Sequence, residues 1–174
     1  MACGKTTLGR AMQAAYPEEV EFADLDEIIE ERAGMSITQI FAEKGEEAFR
    51  IMESEEVERL CVRNSEGRRL IVGCGGGTPC HGLNLERMLS EGTVVWLKAN
   101  RERTLSRLIE FQATRPLLAG KSAEELAAFA DTHLAERTPW YNRAHRCFDS
   151  SHLDTAYEVA MSVERFYKEF IQNS

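Results

Sequence analysis

The sequence predicts a single domain with an α/β fold built on a parallel sheet. Continuous apolar runs at 70–72 and 93–97 are typical of buried parallel strands. Segments with the helical spacing of apolar residues separate the predicted strands, and strands that alternate with helices indicate a parallel sheet. The chain has 174 residues, which suits one domain because domains usually run to about 100–150 residues.

The first elements follow from turn residues and from spacing. A helix is predicted at 6–16 and ends at Pro17, since proline cannot continue a helix. Residues 20–23 alternate apolar and acidic side chains, which is the pattern of a strand. A helix at 27–33 then stops at Gly34.

The later elements rest on the same signals. A short helix at 36–44 begins with Ser36 and Gln39 in the spacing of a capping box, and a longer helix at 46–63 carries its apolar residues on roughly one side. Beyond the strands already named, helices are predicted at 84–90, 101–112, 123–145 with an interruption near Pro139, and from 154 onward, with a strand at 147–148 and a loop at 113–122.

Composition and charge exclude several classes of protein. Apolar residues make up 43% of the chain and charged residues 29%, as in ordinary globular proteins. No stretch approaches the roughly 20 apolar residues of a membrane span, and the first residues lack the apolar core of a secretory signal. The net charge of −8 argues against a nucleic-acid partner, which needs a basic face. The five cysteines include no CxxC pair, which favours reduced thiols over disulfides or a zinc site.

The tripeptide Gly4-Lys5-Thr6 opens the first helix and matches the end of a phosphate-binding loop. Backbone N–H groups of such a loop and of the helix N-terminus bind phosphate oxygens. Lys5 would then hold the charge of the β- and γ-phosphates, and the Thr6 hydroxyl would ligate Mg²⁺. The tripeptide alone is a weak signal and equally open to a chance match, because the first glycine of the motif would lie upstream of Met1.

Two acidic residues follow the strand at 20–23. Ligands of open α/β sheets bind beyond the carboxyl ends of the strands, so Asp24 and Asp26 face the same cleft if the backbone stays extended. One of them could organise Mg²⁺ and its waters, and the other could accept a hydroxyl proton. The alternative for Asp26 is a helix N-cap, for which the sequence offers about equal support.

The triple glycine at 75–77 and three arginines are further candidates. The glycines follow the strand at 70–72 and suit the close approach of a substrate, the alternative being a flexible turn. Arg50 lies one helical turn from two glutamates, so an ordinary surface ion pair is its alternative. Arg115 precedes Pro116 in a long loop, and such loops are often lids, whereas Arg137 lies near the helix break.

The order of these motifs along the chain resembles the shikimate kinases. The segments that carry the resemblance are GKTTLGR (4–10), FADLD (22–26), GMSITQIFAEKGEEAFR (34–50), GCGGGTP (73–79), VVWL (94–97), TRPLLAG (114–120) and ERTPWYNRA (136–144). Each is moderately specific alone, but their joint order and spacing are highly specific. The resemblance implies a three-layer P-loop kinase fold with a parallel sheet in the order 2-3-1-4-5, substrate-binding helices at about 27–63 and a lid at about 112–123.

The resemblance also implies an activity, which is ATP-dependent phosphorylation of the 3-hydroxyl of shikimate. It implies a cytoplasmic monomer whose partners are small molecules, with no membrane or nucleic acid among them. On the nucleotide side, the residues that bind ATP are Gly4, Lys5, Thr6, Thr7, Arg107 near the adenine, and Arg115, which reaches the transferring phosphate from the lid. Thr6 contacts Mg²⁺ directly and Asp24 acts on it through water.

On the substrate side, the resemblance assigns four residues. Asp26 bonds the hydroxyls of shikimate and is the candidate base. Arg50 and Arg137 hold the carboxylate, and Gly76 adds a backbone contact. Asp26, Lys5 and Arg115 are the residues expected to carry the chemical step.

Two other functions stay open at this point. Another small-molecule P-loop kinase, such as a gluconate kinase, would need a similar pocket because gluconate also has a carboxylate and hydroxyls. A nucleotide-binding module without catalysis would keep the fold but lack the front of the phosphate loop. The family's first strand and the first half of that loop have no counterpart after Met1. We therefore expect either that Met1 is not the natural start, with about ten to fifteen residues upstream, or that the chain is a weak enzyme.

Overall fold

The computed structural model describes residues 2–63, 67–110, 112 and 120–172. In these ranges the helices are α1 (Lys5–Ala15), α2 (Leu25–Ala33), α3 (Ile37–Cys61), α4 (Asn84–Glu91), α5 (Arg101–Glu110), α6 (Ala123–Tyr141) and α7 (Ala156–Phe170), with a short 3₁₀ helix at Thr78–Cys80. The strands are β1 (Val20–Asp24), β2 (Arg69–Gly73), β3 (Val95–Lys98) and β4 (Arg146–Asp149). The predicted helices and strands are present, with ends that differ by a few residues.

The strands form two parallel pairs. β1 pairs with β2 in a register that places Val20 beside Arg69 and Asp24 beside Gly73, and β3 pairs with β4 from Val95 to Lys98. The family's first strand has no counterpart here, so β1 to β4 correspond to its strands 2 to 5. The two pairs are therefore the neighbours 2-3 and 4-5 of the predicted order 2-3-1-4-5. Because β1 and β2 are parallel, their carboxyl ends meet, and the acidic residues after β1 lie beside the glycine-rich run after β2.

One cavity of about 810 Å³ lies between the two pairs of strands. It is lined by all of β2 and β3, and by apolar side chains of α1 that include Leu8 and Met12. Among the described residues β2 pairs only with β1 and β3 only with β4, so a free edge of each strand faces this cavity. Lys5 and Arg137 also line it and give it a polar rim.

Three apolar clusters hold the elements together. The first packs α1 and α7 against the strands around Met12 and Phe166, so the last helix belongs to the core. The second lies between α2 and α3 around Ile29. The third joins α5 to α6 through Leu108 and Leu126.

A break at Gly45 divides α3 into the two helices predicted at 36–44 and 46–63. Gly45 has φ 81° and ψ 172°, a left-handed backbone that glycine adopts without strain. Ser36 and Gln39 form the predicted capping box at the start of the first half. The second half carries Arg50 and Glu53 to the turn after β2.

The helices in the described ranges include none long and apolar enough to cross a lipid bilayer. The five cysteines are free thiols. Burial raises the pKa of the Cys74 thiol to about 12, so this group is un-ionised at neutral pH and behaves as a small apolar side chain.

Candidate active site

The amino end of α1 has the geometry of an anion site. Gly4 precedes the helix with φ 83°, a conformation that favours glycine, and a Cβ atom there would lie 2.5 Å from Cδ1 of Leu153. None of the described side chains caps this helix end. The N–H groups of its first turn, which have no partner within the helix, can therefore bind phosphate oxygens at the positive end of the helix dipole.

Thr6 and Asp24 are in direct contact at the carboxyl end of β1. The Thr6 hydroxyl donates to Oδ2 of Asp24 at 2.7 Å. A hydroxyl and a carboxylate are suitable oxygen ligands for Mg²⁺. Within the described ranges, no group of three or more His, Cys, Asp or Glu residues could hold a metal ion. Mg²⁺ usually binds through one or two protein groups together with phosphate oxygens of the nucleotide, and Thr6 and Asp24 would supply two such groups.

Asp24, and not Asp26, is the N-cap of α2. Oδ1 of Asp24 accepts from the backbone N–H of Asp26 at 3.1 Å. The N-cap alternative for Asp26 is therefore wrong, because α2 begins at Leu25 and Asp26 already lies in its first turn. The side chain of Asp26 is thus not needed to start the helix.

The carboxylate of Asp26 lies beside the triple-glycine turn, since a Cβ atom on Gly75 would be 3.6 Å from its Oδ1. Burial raises the pKa of the Asp26 carboxyl, as do the charges of Asp24 and Glu53, whereas the charge of Lys5 lowers it. A carboxylate with a raised pKa binds a proton more readily, as a general base requires. Lys5 is close enough to Asp26 for its charge to act on that carboxyl.

Arg50 forms an exposed ion pair with Glu46, as the surface alternative predicts, and a buried one with Glu53. Its Nη1 donates to Oε2 of Glu53 at 2.9 Å, and its Nη2 donates to Oε1 of Glu46 at 3.1 Å. Glu53 is 1% exposed and its other oxygen accepts from the Thr78 hydroxyl at 2.5 Å. The surface ion pair proposed as the alternative is therefore wrong for Glu53, because the second half of α3 packs against the turn that contains Thr78.

The glycine at position 77 gives Arg50 access to this turn. A Cβ atom on Gly77 would lie 3.0 Å from the guanidinium nitrogens of Arg50. Arg137, on α6, comes to the same region from the other side. Burial raises the pKa of the Cys80 thiol, and the charges of Arg137 and Arg50 both lower it, so the two arginines have a common neighbour. The structure thus brings together two cations that are far apart in sequence.

Three predicted ATP-binding residues remain, Arg107, Thr7 and Arg115, and the structure describes the first two. Arg107 is 6% exposed, and its guanidinium donates to the carboxylate of Asp154 at 2.7 Å and to the carbonyls of Ser150 and Ser151 at 3.1 Å each. It therefore holds the loop after β4. Thr7 is exposed in the first turn of α1. Arg115 and most of the predicted lid at 112–123 lie outside the described residues.

Sequence reasoning did not single out three polar residues of this site, Glu53, Thr78 and Tyr141. The Tyr141 hydroxyl donates to the carbonyl of Gly76 at 2.7 Å. Spacing could have indicated Glu53 and Tyr141. Glu53 follows Arg50 by three residues and Tyr141 follows Arg137 by four, and residues so spaced are neighbours on a helix surface. Thr78 had no comparable signal.

A sequence model of a family described as shikimate kinase matches residues 1–169. The chain belongs to the shikimate kinase family. A shikimate kinase from Parabacteroides distasonis is 41% identical over 160 residues, which is 91% of this chain and 88% of the relative. A shikimate kinase from Phocaeicola vulgatus is 37% identical over 168 residues, which is 97% of this chain and 93% of the relative.

Solved shikimate kinase structures also resemble this chain. The crystal structure from Bacteroides thetaiotaomicron has a TM-score of 0.88 at 32% identity and covers 97% of this chain and 93% of its own. The shikimate kinase from Acinetobacter baumannii, solved in complex with shikimate, has a TM-score of 0.76 at 28% identity and covers 97% and 88%. These matches confirm the predicted family and fold type, and the chain is a kinase as the sequence predicted.

Proposed function

We propose that this chain transfers the γ-phosphoryl group of ATP to the 3-hydroxyl of shikimate, giving shikimate 3-phosphate and ADP. One observation carries the proposal. The triple-glycine turn is surrounded by the Asp26 carboxylate, by Arg50 and by Tyr141 with its neighbour Arg137. The anion site of α1 lies close by, because Lys5 acts on the pKa of Asp26. A carboxylate, hydroxyls and a phosphoryl donor are the groups that such a set of residues can bind.

Arg50 and Arg137 are proposed to bind the carboxylate of shikimate. A planar guanidinium group binds a carboxylate through two parallel hydrogen bonds. Three of the five N–H donors of Arg50 bond Glu46 and Glu53, which leaves two that no described contact takes up. Those acidic partners therefore orient Arg50 without using up its capacity to bind an anion. The backbone of Gly76 adds a contact to the same substrate.

The nucleotide is proposed to bind with its phosphates at the amino end of α1. Lys5 and the N–H groups of Gly4, Thr6 and Thr7 bind its phosphates, and Arg115 approaches the γ-phosphate from the lid. The adenine lies beside Arg107 and the loop that this residue holds. Thr6 and Asp24 fit Mg²⁺, which when bound would neutralise negative charge on the β- and γ-phosphates.

Asp26 is proposed to take up the proton in the chemical step. The oxygen of the 3-hydroxyl forms a bond to the γ-phosphorus, the bond from that phosphorus to the β,γ-bridging oxygen breaks, and ADP leaves. The hydroxyl proton moves to the Asp26 carboxylate, whose raised pKa favours this transfer. Lys5 and Arg115 stabilise the charge on the transferring group, and closure of the lid excludes water as a competing acceptor.

A coupled ADP-release assay tests the proposal. Purified protein is supplied with Mg²⁺-ATP and either shikimate or gluconate, and the product is identified by mass spectrometry. Turnover with shikimate and none with gluconate is the expected result. Turnover with gluconate alone would refute the substrate assignment, and ATP binding without turnover on either would favour a binding module.

We further propose that the chain acts as a monomer in the cytoplasm. The nucleotide and substrate groups named above all come from one chain, so no second copy is needed to complete the site. Light scattering after size-exclusion chromatography checks the oligomeric state, and cell fractionation checks the location. A stable dimer, or activity in the membrane fraction, would contradict these proposals.

A further inference from the structure

The turn after β2 is a type I turn, although its sequence is equally compatible with a type II turn. The N–H of Thr78 donates to the carbonyl of Gly75 at 3.2 Å, which closes a four-residue turn around Gly76 and Gly77. Gly77 has φ −88° and ψ −20°, the angles of the third residue of a type I turn. A type II turn differs by a flip of the central peptide and needs φ near about +80° at this position. Glycine adopts both values without strain, so a further contact must select between them.

Tyr141 supplies that contact. Its hydroxyl donates at 2.7 Å to the carbonyl of Gly76, which belongs to the central peptide of the turn. In a type II turn this carbonyl would point to the opposite side and the hydrogen bond would be lost. The ring of Tyr141 packs against Trp96 of β3 with centroids 5.4 Å apart, so the hydroxyl is presented from a fixed direction.

The hydroxyl also lies near a cation. Burial raises the pKa of Tyr141, and the positive charge of Arg137 opposes that rise. The hydroxyl therefore keeps its proton at neutral pH and donates it to Gly76. Tyr141 thus contacts the backbone turn close to one of the two arginines of the site.

We propose that Tyr141 is a positioning residue whose hydroxyl holds the central peptide of this turn in the type I orientation. It thereby fixes the direction of the backbone N–H groups that the turn presents to the substrate. The effect on substrate binding rests on the proposed function, whereas the effect on the turn does not.

The substitution Tyr141→Phe tests the proposal, because it removes the hydroxyl and keeps the ring that packs on Trp96. We expect the KM for shikimate to rise about ten-fold, the size of effect that follows from one lost hydrogen bond. The KM for ATP should stay unchanged, and the melting temperature should fall by no more than about 6 °C, the limit for one lost hydrogen bond. The control is Tyr157→Phe, since Tyr157 is 75% exposed on α7.

The turn itself is followed by NMR in the absence of substrate. The amide peak of Gly77 should move or split in two in Tyr141→Phe and stay in place in Tyr157→Phe. An unchanged peak with an unchanged KM for shikimate would overturn the proposal. A rise in both KM values with a large fall in melting temperature would also overturn it, since that is general loosening. If the wild-type protein does not turn over shikimate, the proposed function fails and the Gly77 peak alone decides the role of Tyr141.

Discussion

The substitution Thr78→Val tests the buried network that orients Arg50. Valine keeps the shape of threonine but removes the hydroxyl that donates to Glu53 at 2.5 Å. Thr78 is 0% exposed and Glu53 is 1% exposed, so water cannot replace the lost partner. Hydrogen bonds to charged groups contribute about 1.5–3 kcal/mol, and we expect the free energy of unfolding to fall by that amount. For a chain of this size each kcal/mol lowers the melting temperature by about 2–4 °C, which gives a fall of about 3–12 °C.

Urea and thermal unfolding followed by circular dichroism measure this loss. The matched control is Thr132→Val, an exposed position on α6 with the same change of side chain, where we expect a difference within about 0.5 kcal/mol. A second measurement is the KM for shikimate. It should rise because Glu53 loses its contact with Thr78 and then holds Arg50 less firmly. If Thr78→Val is as stable as the control, the Thr78–Glu53 bond does not stabilise the fold and the reasoning is refuted.

Three further predictions concern the charged residues. Asp26→Asn should lower turnover by about 100-fold or more, as expected for a lost proton acceptor. It should also raise the free energy of unfolding at neutral pH, because a carboxyl with a raised pKa destabilises the folded state when it ionises. This gain should vanish as the pH falls and the wild-type carboxyl becomes protonated. Near-normal turnover would contradict the role of Asp26 as proton acceptor. Arg137→Ala should weaken shikimate binding by about 2–5 kcal/mol, whereas Arg115→Ala should chiefly lower kcat; steady-state kinetics separate the two, and an unchanged KM in Arg137→Ala would count against the carboxylate site. Arg107→Lys should lower the free energy of unfolding by about 1–3 kcal/mol, because a single ammonium nitrogen lacks the planar fork whose three nitrogens reach the three acceptors. Urea unfolding measures it, and wild-type stability would show that the loop does not depend on Arg107.

Local signals in the sequence predicted the elements of the fold well. The break at Gly45 and the capping box of Ser36 and Gln39 are both present, because each depends on residues within a few positions of one another. The parallel pairing of the strands followed from the alternation of strands with helices. The family resemblance added the order of the strands, which spacing alone does not determine.

The site was predicted less completely, because its contacts join distant parts of the chain. The sequence favoured neither role for Asp26, and only the start of α2 at Leu25 shows that Asp24 is the cap. Glu53 looked like a surface residue on a helix, and it is buried because α3 packs on a turn 25 residues later. Nor does spacing indicate that Arg107 holds a loop that follows β4.

Each of the three glycines of the turn lies against a different neighbouring side chain, which explains why the turn has no side chains of its own. A Cβ atom on Gly75 would lie 3.3 Å from Oε1 of Glu53, and one on Gly77 would lie 3.0 Å from Arg50, so a larger residue at either position would push a charged group away. Gly76 contributes its carbonyl, which Tyr141 holds. The glycines thus allow the Glu53 carboxylate, the Arg50 guanidinium and the Tyr141 hydroxyl to approach one short stretch of backbone. The freedom that they give this backbone is restricted by the hydrogen bond from Tyr141 to Gly76 and by the bond from the N–H of Thr78 to the carbonyl of Gly75, so the turn can be both accessible to a substrate and fixed in one conformation.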